Sequence, residues 1–224
     1  DLAVGRLVET PEEITSTIAT FISRGGFLDL TVHDPVDDHR VLVTGYDFLL
    51  DSGRRVRRLW KLAHGADPED DAALAPVDGV LLSPDWDLGT LAERRAALAT
   101  HLGGHGGAAY GLVSLNGHAC HWEEGVPGAD PFDIEGLGAD AIAALDLAGS
   151  VVYAVGCHGG LPVPGSSSGD LDHSLDLPQT FLGAGALAYL ANTGYGWGLR
   201  TGIGYSERLV EILTEELAAG GTVA

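Results

Sequence analysis

Two apolar runs dominate the hydrophobic pattern of this chain. One is Val151-Val152-Tyr153-Ala154-Val155, which ends in Gly156-Cys157-His158-Gly159-Gly160. The other is Tyr110-Gly111-Leu112-Val113-Ser114-Leu115, which ends in Asn116-Gly117-His118-Ala119. Short continuous runs of this kind, closed by glycine, read as strands buried on both faces, the pattern of a parallel sheet. Residues 41–44 predict another strand, followed by Gly45-Tyr46-Asp47, and residues 77–82 a weaker one. Residues 185–191 predict a further buried strand, and residues 2–7 form a short apolar segment.

Helical spacing fills the intervals. Thr10-Pro11-Glu12-Glu13 has a cap, a proline at the first position and acids in the first turn, and Ile14, Ile18, Phe21 and Ile22 follow on one face. Residues 54–62 predict a helix burying Val56, Leu59 and Trp60. Further helices are predicted over 88–102 (Leu91, Arg94, Arg95 and Leu98), over 137–145, and from near Pro178 to Leu182. The last helix, 205–217, is read with Leu209, Ile212, Leu213 and Leu217 inward and Glu211, Glu215 and Glu216 toward water. Residues 161–176 lack periodicity and read as an exposed loop. Alternation of strand and helix predicts one α/β domain, a mainly parallel sheet with helices on both faces.

Composition narrows the class of partner. With 45% hydrophobic and 20% charged residues over 224 positions, the chain can bury a substantial core. The 32 acidic residues outnumber 12 basic ones, for a net charge of -20. That charge argues against nucleic acid or an anionic membrane as partner and suits a salty or extracellular setting, or attraction of basic substrates. Two cysteines, Cys120 and Cys157, define no disulfide scaffold, and no apolar run approaches a membrane span. The chain starts at Asp1 and contains no methionine, so it reads as a processed or excised piece of a longer protein. The compartment stays open, with a secreted or cell-surface location slightly favoured over the cytoplasm.

The chemistry sits at the two strand ends. Parallel α/β sheets carry their sites at the carboxyl ends of strands, and a thiol needs a base to attack at neutral pH. His118 and Cys157 are separated by 157 − 118 = 39 residues, room for a loop, a helix and a return strand. A right-handed crossover would make the two strands neighbours and bring the pair together. The backbone N–H groups of Ala119 and Cys157 could then hold the oxyanion of a tetrahedral intermediate. Taken singly, a strand-ending cysteine is more often a small buried hydrophobe.

The chain also resembles the gingipain family of clan CD cysteine peptidases, the caspase-fold group. Ala3 to Glu13 resembles the family's Gly-Arg strand and Thr-x-Glu helix start. Leu112 to Trp122 resembles its strand, histidine and nearby tryptophan, and Ala154 to Gly160 its strand and catalytic cysteine. Gln179 to Trp197 resembles its Gly-Ala-x-Ala strand and Thr-containing loop. The resemblance implies a caspase-like three-layer sandwich over residues 1–224, one catalytic domain incomplete at both ends. It implies a cysteine endopeptidase acting on peptide or protein substrates, with His118 as base, Cys157 as nucleophile and the Ala119 and Cys157 amides as oxyanion hole. It places Thr193 and Trp197 at the primary specificity pocket and requires no cofactor for catalysis. Other segments or chains of a longer precursor are implied partners.

There are departures. Ala119 stands where the family has glycine, and Cys120, His121 and His158 are unusual neighbours. The acidic residue that selects basic side chains in the family lies before the Gly-Arg strand, outside this sequence. Two other readings compete: an inactive caspase-fold recognition or assembly module, and a metal-dependent hydrolase around His118, Cys120 and His121, whose spacing matches no common zinc pattern. Asp47 reads as a loop cap or as a group orienting the histidine or binding a cation. Asp170, Asp172 and Asp176 read as a solvated loop, with structural calcium as the alternative. Residues 103–107 precede a strand rather than a helix, so no phosphate cradle is expected, and Ser166-Ser167-Ser168 has no nucleophile-elbow context.

Overall fold

A computed structural model describes residues 10–23, 41–70, 77, 79–104, 109–129, 135–163 and 175–220. The apolar runs form its central strands. β1 (Val41–Gly45), β2 (Gly79–Leu82), β3 (Leu112–Leu115), β7 (Val151–Ala154) and β8 (Ala188–Ala191) make one sheet in the order β2-β1-β3-β7-β8. Every neighbouring pair in it is parallel. β1, β3 and β7 are buried at every position, as strands covered on both faces must be. β8, expected as a buried strand over 185–191, is shorter and half-buried because it is an edge.

Helices cover both faces, giving the three layers of a caspase-like sandwich. α2 (Leu50–Ala63) and α6 (Ser206–Ala218) pack together on one side, where Val56, Trp60, Val210 and Leu217 meet Val41, Val43, Leu112 and Tyr153. α3 (Leu91–Leu102), α4 (Ala139–Ala143) and α5 (Leu177–Gly183) cover the other, where Leu98, Leu102, Ile142, Leu177 and Phe181 meet Leu42, Val113 and Val152. α1 (Pro11–Ser23) lies against α5, where Gln179 Nε2 donates to Glu13 at 2.5 Å.

Three expectations change. The helix expected over 88–102 starts only at Leu91, because Thr90 and Glu93 cap each other reciprocally and fix the first turn there. The helix expected over 137–145 is a strand plus a single turn: β4 (Ala119–Cys120), β5 (Glu123–Glu124) and β6 (Leu137–Gly138) form a small antiparallel sheet before α4. The phase of α6 is also rotated. Leu217 is buried and Leu213 packs against the core as expected, but Glu207, Val210, Glu211 and Thr214 are the other buried positions, whereas Leu209 is 66% and Ile212 41% exposed.

Polar partners on the sheet side explain that rotation. The Thr214 and Tyr153 hydroxyls lie 3.0 Å apart. Glu211 accepts from Arg55 Nε at 2.5 Å and also pairs with Arg208. Burial alone would raise the Glu211 pKa, but the hydrogen bonds from Arg208 and Arg55 outweigh it and hold the carboxylate below its usual value. Residues 2–7, the Ala3 to Glu9 part of the first family-like motif, residues 105–107, Ser166-Ser167-Ser168, Asp170 and Asp172 lie outside the described residues.

Candidate active site

The chain turns from β1 outward to β2, then returns to the other side of β1 to make β3. The crevice between the carboxyl ends of β1 and β3 is therefore the switch point of the sheet, where α/β folds seat their ligands. Tyr46, Asp47 and Phe48 leave β1 there, and Asn116, Gly117 and His118 leave β3. Asn116 is fully buried, and its hydrogen bonds set the course of that exit. Its Nδ2 donates to Thr44 O at 3.0 Å and to Ser114 Oγ at 2.7 Å, and its Oδ1 accepts from Ser52 Oγ at 2.6 Å. Two residues on, the His118 N–H donates to the Tyr46 hydroxyl at 3.0 Å.

Asp47 Oδ2 lies 3.1 Å from His118 Nε2, across the switch point. A carboxylate can only accept, so Nε2 is the donor in this contact, and in the neutral imidazole the lone pair is then on Nδ1. Asp47 thus contacts His118, and the short helix it begins has no side-chain cap hydrogen bond among the described residues. Phe48 holds the ring from a second side, with centroids 5.3 Å apart.

β3 and β7 are adjacent, and their register pairs Leu115 with Ala154. His118 follows that pair by three residues on the β3 side and Cys157 by three on the β7 side, so both leave the carboxyl ends of adjacent strands. The two exits touch: a methyl group added at Gly156 would overlap Ala119, coming within 2.8 Å of its nitrogen. The Cys157 thiol reaches Gly196 O at 3.6 Å. It opens on a cavity of ≈ 300 Å³ lined by Phe48, Tyr195, Gly196, Trp197, Gly198 and Arg200. Trp197, 65% exposed, is a wall of that cavity and not a core plug.

Thr193 is outside the lining; its carbonyl lies 3.3 Å from His158 Nδ1. The His158 N–H donates to Gly194 O at 2.7 Å, which ties the cysteine turn to the loop after β8. The Ala119↔Glu124 pair of β4 and β5 is the non-hydrogen-bonded kind, since Gly125 N donates to His118 O. The Ala119 and Cys157 N–H groups thus have no hydrogen-bond partner among the described residues.

The remaining candidates lie elsewhere. Burial pushes the Cys120 thiol up to about 11, so at neutral pH it is a thiol and not a nucleophile. His121 packs edge-on to Trp122, ring centroids 4.2 Å apart, while His118 is engaged with Asp47. Among the described residues no three histidine, cysteine or acidic side chains converge as a metal site. Asp176 caps α5, accepting from Gln179 N at 2.8 Å and Val163 N at 2.7 Å. Sequence reasoning missed Phe48, Tyr195 and Arg200, which become neighbours of Cys157 only in the fold. It also missed the buried Asn116, whose signal was a polar residue closing an apolar run.

No protein-family model matches this chain, and no curated protein matches it. A solved structure described as "Structure of Protease" aligns over 95% of this chain at 13% identity, with a TM-score of 0.46. The aligned part is 48% of that structure's chain, so the present chain spans about half its length. A likeness of that size carries nothing about activity.

Proposed function

We propose that the chain is the catalytic part of a cysteine peptidase, with Cys157 as nucleophile, His118 as general base and acid, and Asp47 as the group that orients His118. The observation that carries this reading is that His118 and Cys157 each follow, by three residues, the paired ends of adjacent parallel strands, with a cavity opening beside the thiol. The gingipain-family motifs support the same residues.

The chemistry follows from that placement. His118 Nδ1 takes the thiol proton, and the thiolate sulfur forms a bond to the carbonyl carbon of the substrate. The oxyanion lies against the Ala119 and Cys157 N–H groups, whose lack of a partner leaves them available as donors. Collapse of the intermediate breaks the carbon–nitrogen bond, and the leaving amine takes the proton from His118. Water, deprotonated by His118, then attacks the thioester, releasing the acid and restoring the thiol. The Asp47 contact fixes which ring nitrogen does this work.

The test pairs chemistry with turnover. Iodoacetamide should alkylate Cys157 far faster than Cys120, as read by peptide mass spectrometry, and peptide hydrolysis should vanish with it. A folded chain whose alkylated Cys157 still hydrolyses peptides would refute the assignment. A folded chain that cleaves no peptide would favour the inactive recognition module.

A further inference from the structure

The cavity beside Cys157 has three aromatic walls and one cation. Phe48, Tyr195 and Trp197 line it together with Arg200, and no acidic residue does among the described residues. Arg200 makes no ion pair and no side-chain hydrogen bond among the described residues. The carboxylates of this region each hold another group, with Glu207 Oε1 left buried and without a hydrogen-bond partner among the described residues. Asp47 is on His118 Nε2 at 3.1 Å, and Asp51 accepts the Gly202 N–H at 2.9 Å. Glu207 accepts the N–H groups of Leu199 at 2.9 Å and Gly204 at 3.1 Å. The segment carrying Arg200 is therefore fastened on both sides of that residue, leaving its guanidinium for something else.

We propose that this cavity is the primary specificity pocket and that Arg200 selects an acidic side chain, aspartate or glutamate, on the acyl side of the cleaved bond. The inference rests on Cys157 being the nucleophile. A guanidinium grips a carboxylate through two parallel N–H···O bonds, which neither an amide nor a lysine can reproduce. The aromatic walls pack the methylene stem, and ≈ 300 Å³ leaves room for both. The net charge of -20 does not decide against an acidic substrate. Charges beyond about 8–10 Å are screened at physiological salt, whereas Arg200 acts at contact distance.

The experiment is a series of otherwise identical fluorogenic peptides with Asp, Glu, Asn, Leu or Lys on the acyl side of the scissile bond. Each is assayed with the purified wild-type chain and with Arg200→Glu. The wild type should show kcat/KM for the acidic peptides at least about ten-fold above Asn, Leu and Lys. Arg200→Glu should invert the order, with Lys first. Cleavage led by Lys or a neutral residue in the wild type overturns the inference and leaves the peptidase reading standing. The same holds if Arg200→Glu leaves the order unchanged. Failure of the folded wild type to cleave any peptide in the series overturns the peptidase reading, and the specificity falls with it.

Discussion

Glu124→Gln should flatten the pH dependence of stability. Glu124 is 2% exposed, stands opposite Ala119 in the β4–β5 pair, and its Oε2 has no hydrogen-bond partner among the described residues. Burial pushes its carboxyl up from 4.5 to about 8. Burial raises the pKa of Tyr46 and Tyr189, and the Glu124 charge adds to both, with Asp47 and Glu123 also acting on Tyr46 and Asp176 on Tyr189. The folded chain thus keeps the Glu124 proton to about pH 8, while the unfolded chain releases it near 4.5. The stability linked to this proton is full below about pH 4.5 and is lost as pH rises, until the folded carboxyl itself ionises near 8.

At about 1.4 kcal/mol per pKa unit, integration from about pH 5 to about pH 9 gives a loss of roughly 4 kcal/mol in the wild type. Glutamine has no proton to release, and the fixed cost of its extra N–H group cancels when slopes are compared. Urea unfolding across that pH range, followed by tryptophan fluorescence, measures the difference directly. Wild-type and variant curves running parallel to within about 1 kcal/mol would refute the reasoning.

Cys157→Ala should abolish peptide hydrolysis with the fold intact, while Cys120→Ala keeps most of it, because burial holds that thiol protonated with a pKa of about 11; steady-state kinetics and circular dichroism check both. His118→Ala should lower kcat by about 10²–10⁴-fold. Asp47→Ala should lower kcat by less, about ten-fold, since it removes only the group that fixes the histidine tautomer. His121→Ala and His158→Ala should cost less than His118→Ala, and a larger loss from His121 would move the base. On α6, Leu209→Ala should change stability by less than about 0.5 kcal/mol, whereas Leu217→Ala should cost about 2–3 kcal/mol, since Leu209 is exposed and Leu217 buried. Equal costs in urea unfolding would restore the original phase of the helix.

The parts of the fold that were legible are those where one signal acts alone. β1, β3 and β7 are continuous apolar runs because both faces are covered, and no other element type competes for such short stretches. α6 misled because its apolar moment and its buried face differ. Glu207 is held by the loop just before the helix, and Glu211 and Thr214 by partners on α2 and β7, far away in sequence. The β4–β5–β6 sheet was illegible because two-residue strands carry no periodicity. At the candidate site, the placement of His118 and Cys157 just past the ends of adjacent parallel strands was legible, because each closes a continuous apolar run. Asp47 was ambiguous because its partner comes from a strand 71 residues later. Arg200 and Phe48 gave no signal, since each belongs to a loop whose position only the tertiary fold decides.

The backbone around Cys157 shows why the two strand ends act together. Asp47 and His158 are two of three described non-glycine residues with positive φ, at 52° and 55°. That conformation is uncommon for residues with a side chain and costs roughly 1 kcal/mol or more each, so surrounding contacts must hold it. Those contacts are visible: Asp47 on His118 at 3.1 Å, and the His158 N–H on Gly194 O at 2.7 Å. Both strained residues border the crevice, one beside the imidazole and one beside the thiol. Close backbone approach does the rest. Gly156 admits Ala119, and Gly196 sits against Val155 O, where any side chain would collide. The loops after β1, β3, β7 and β8 are thus clamped to one another at their roots. A displacement of any one of these loops therefore moves the thiol, the imidazole or the cavity wall relative to the others, which is the condition under which a strained backbone is worth keeping.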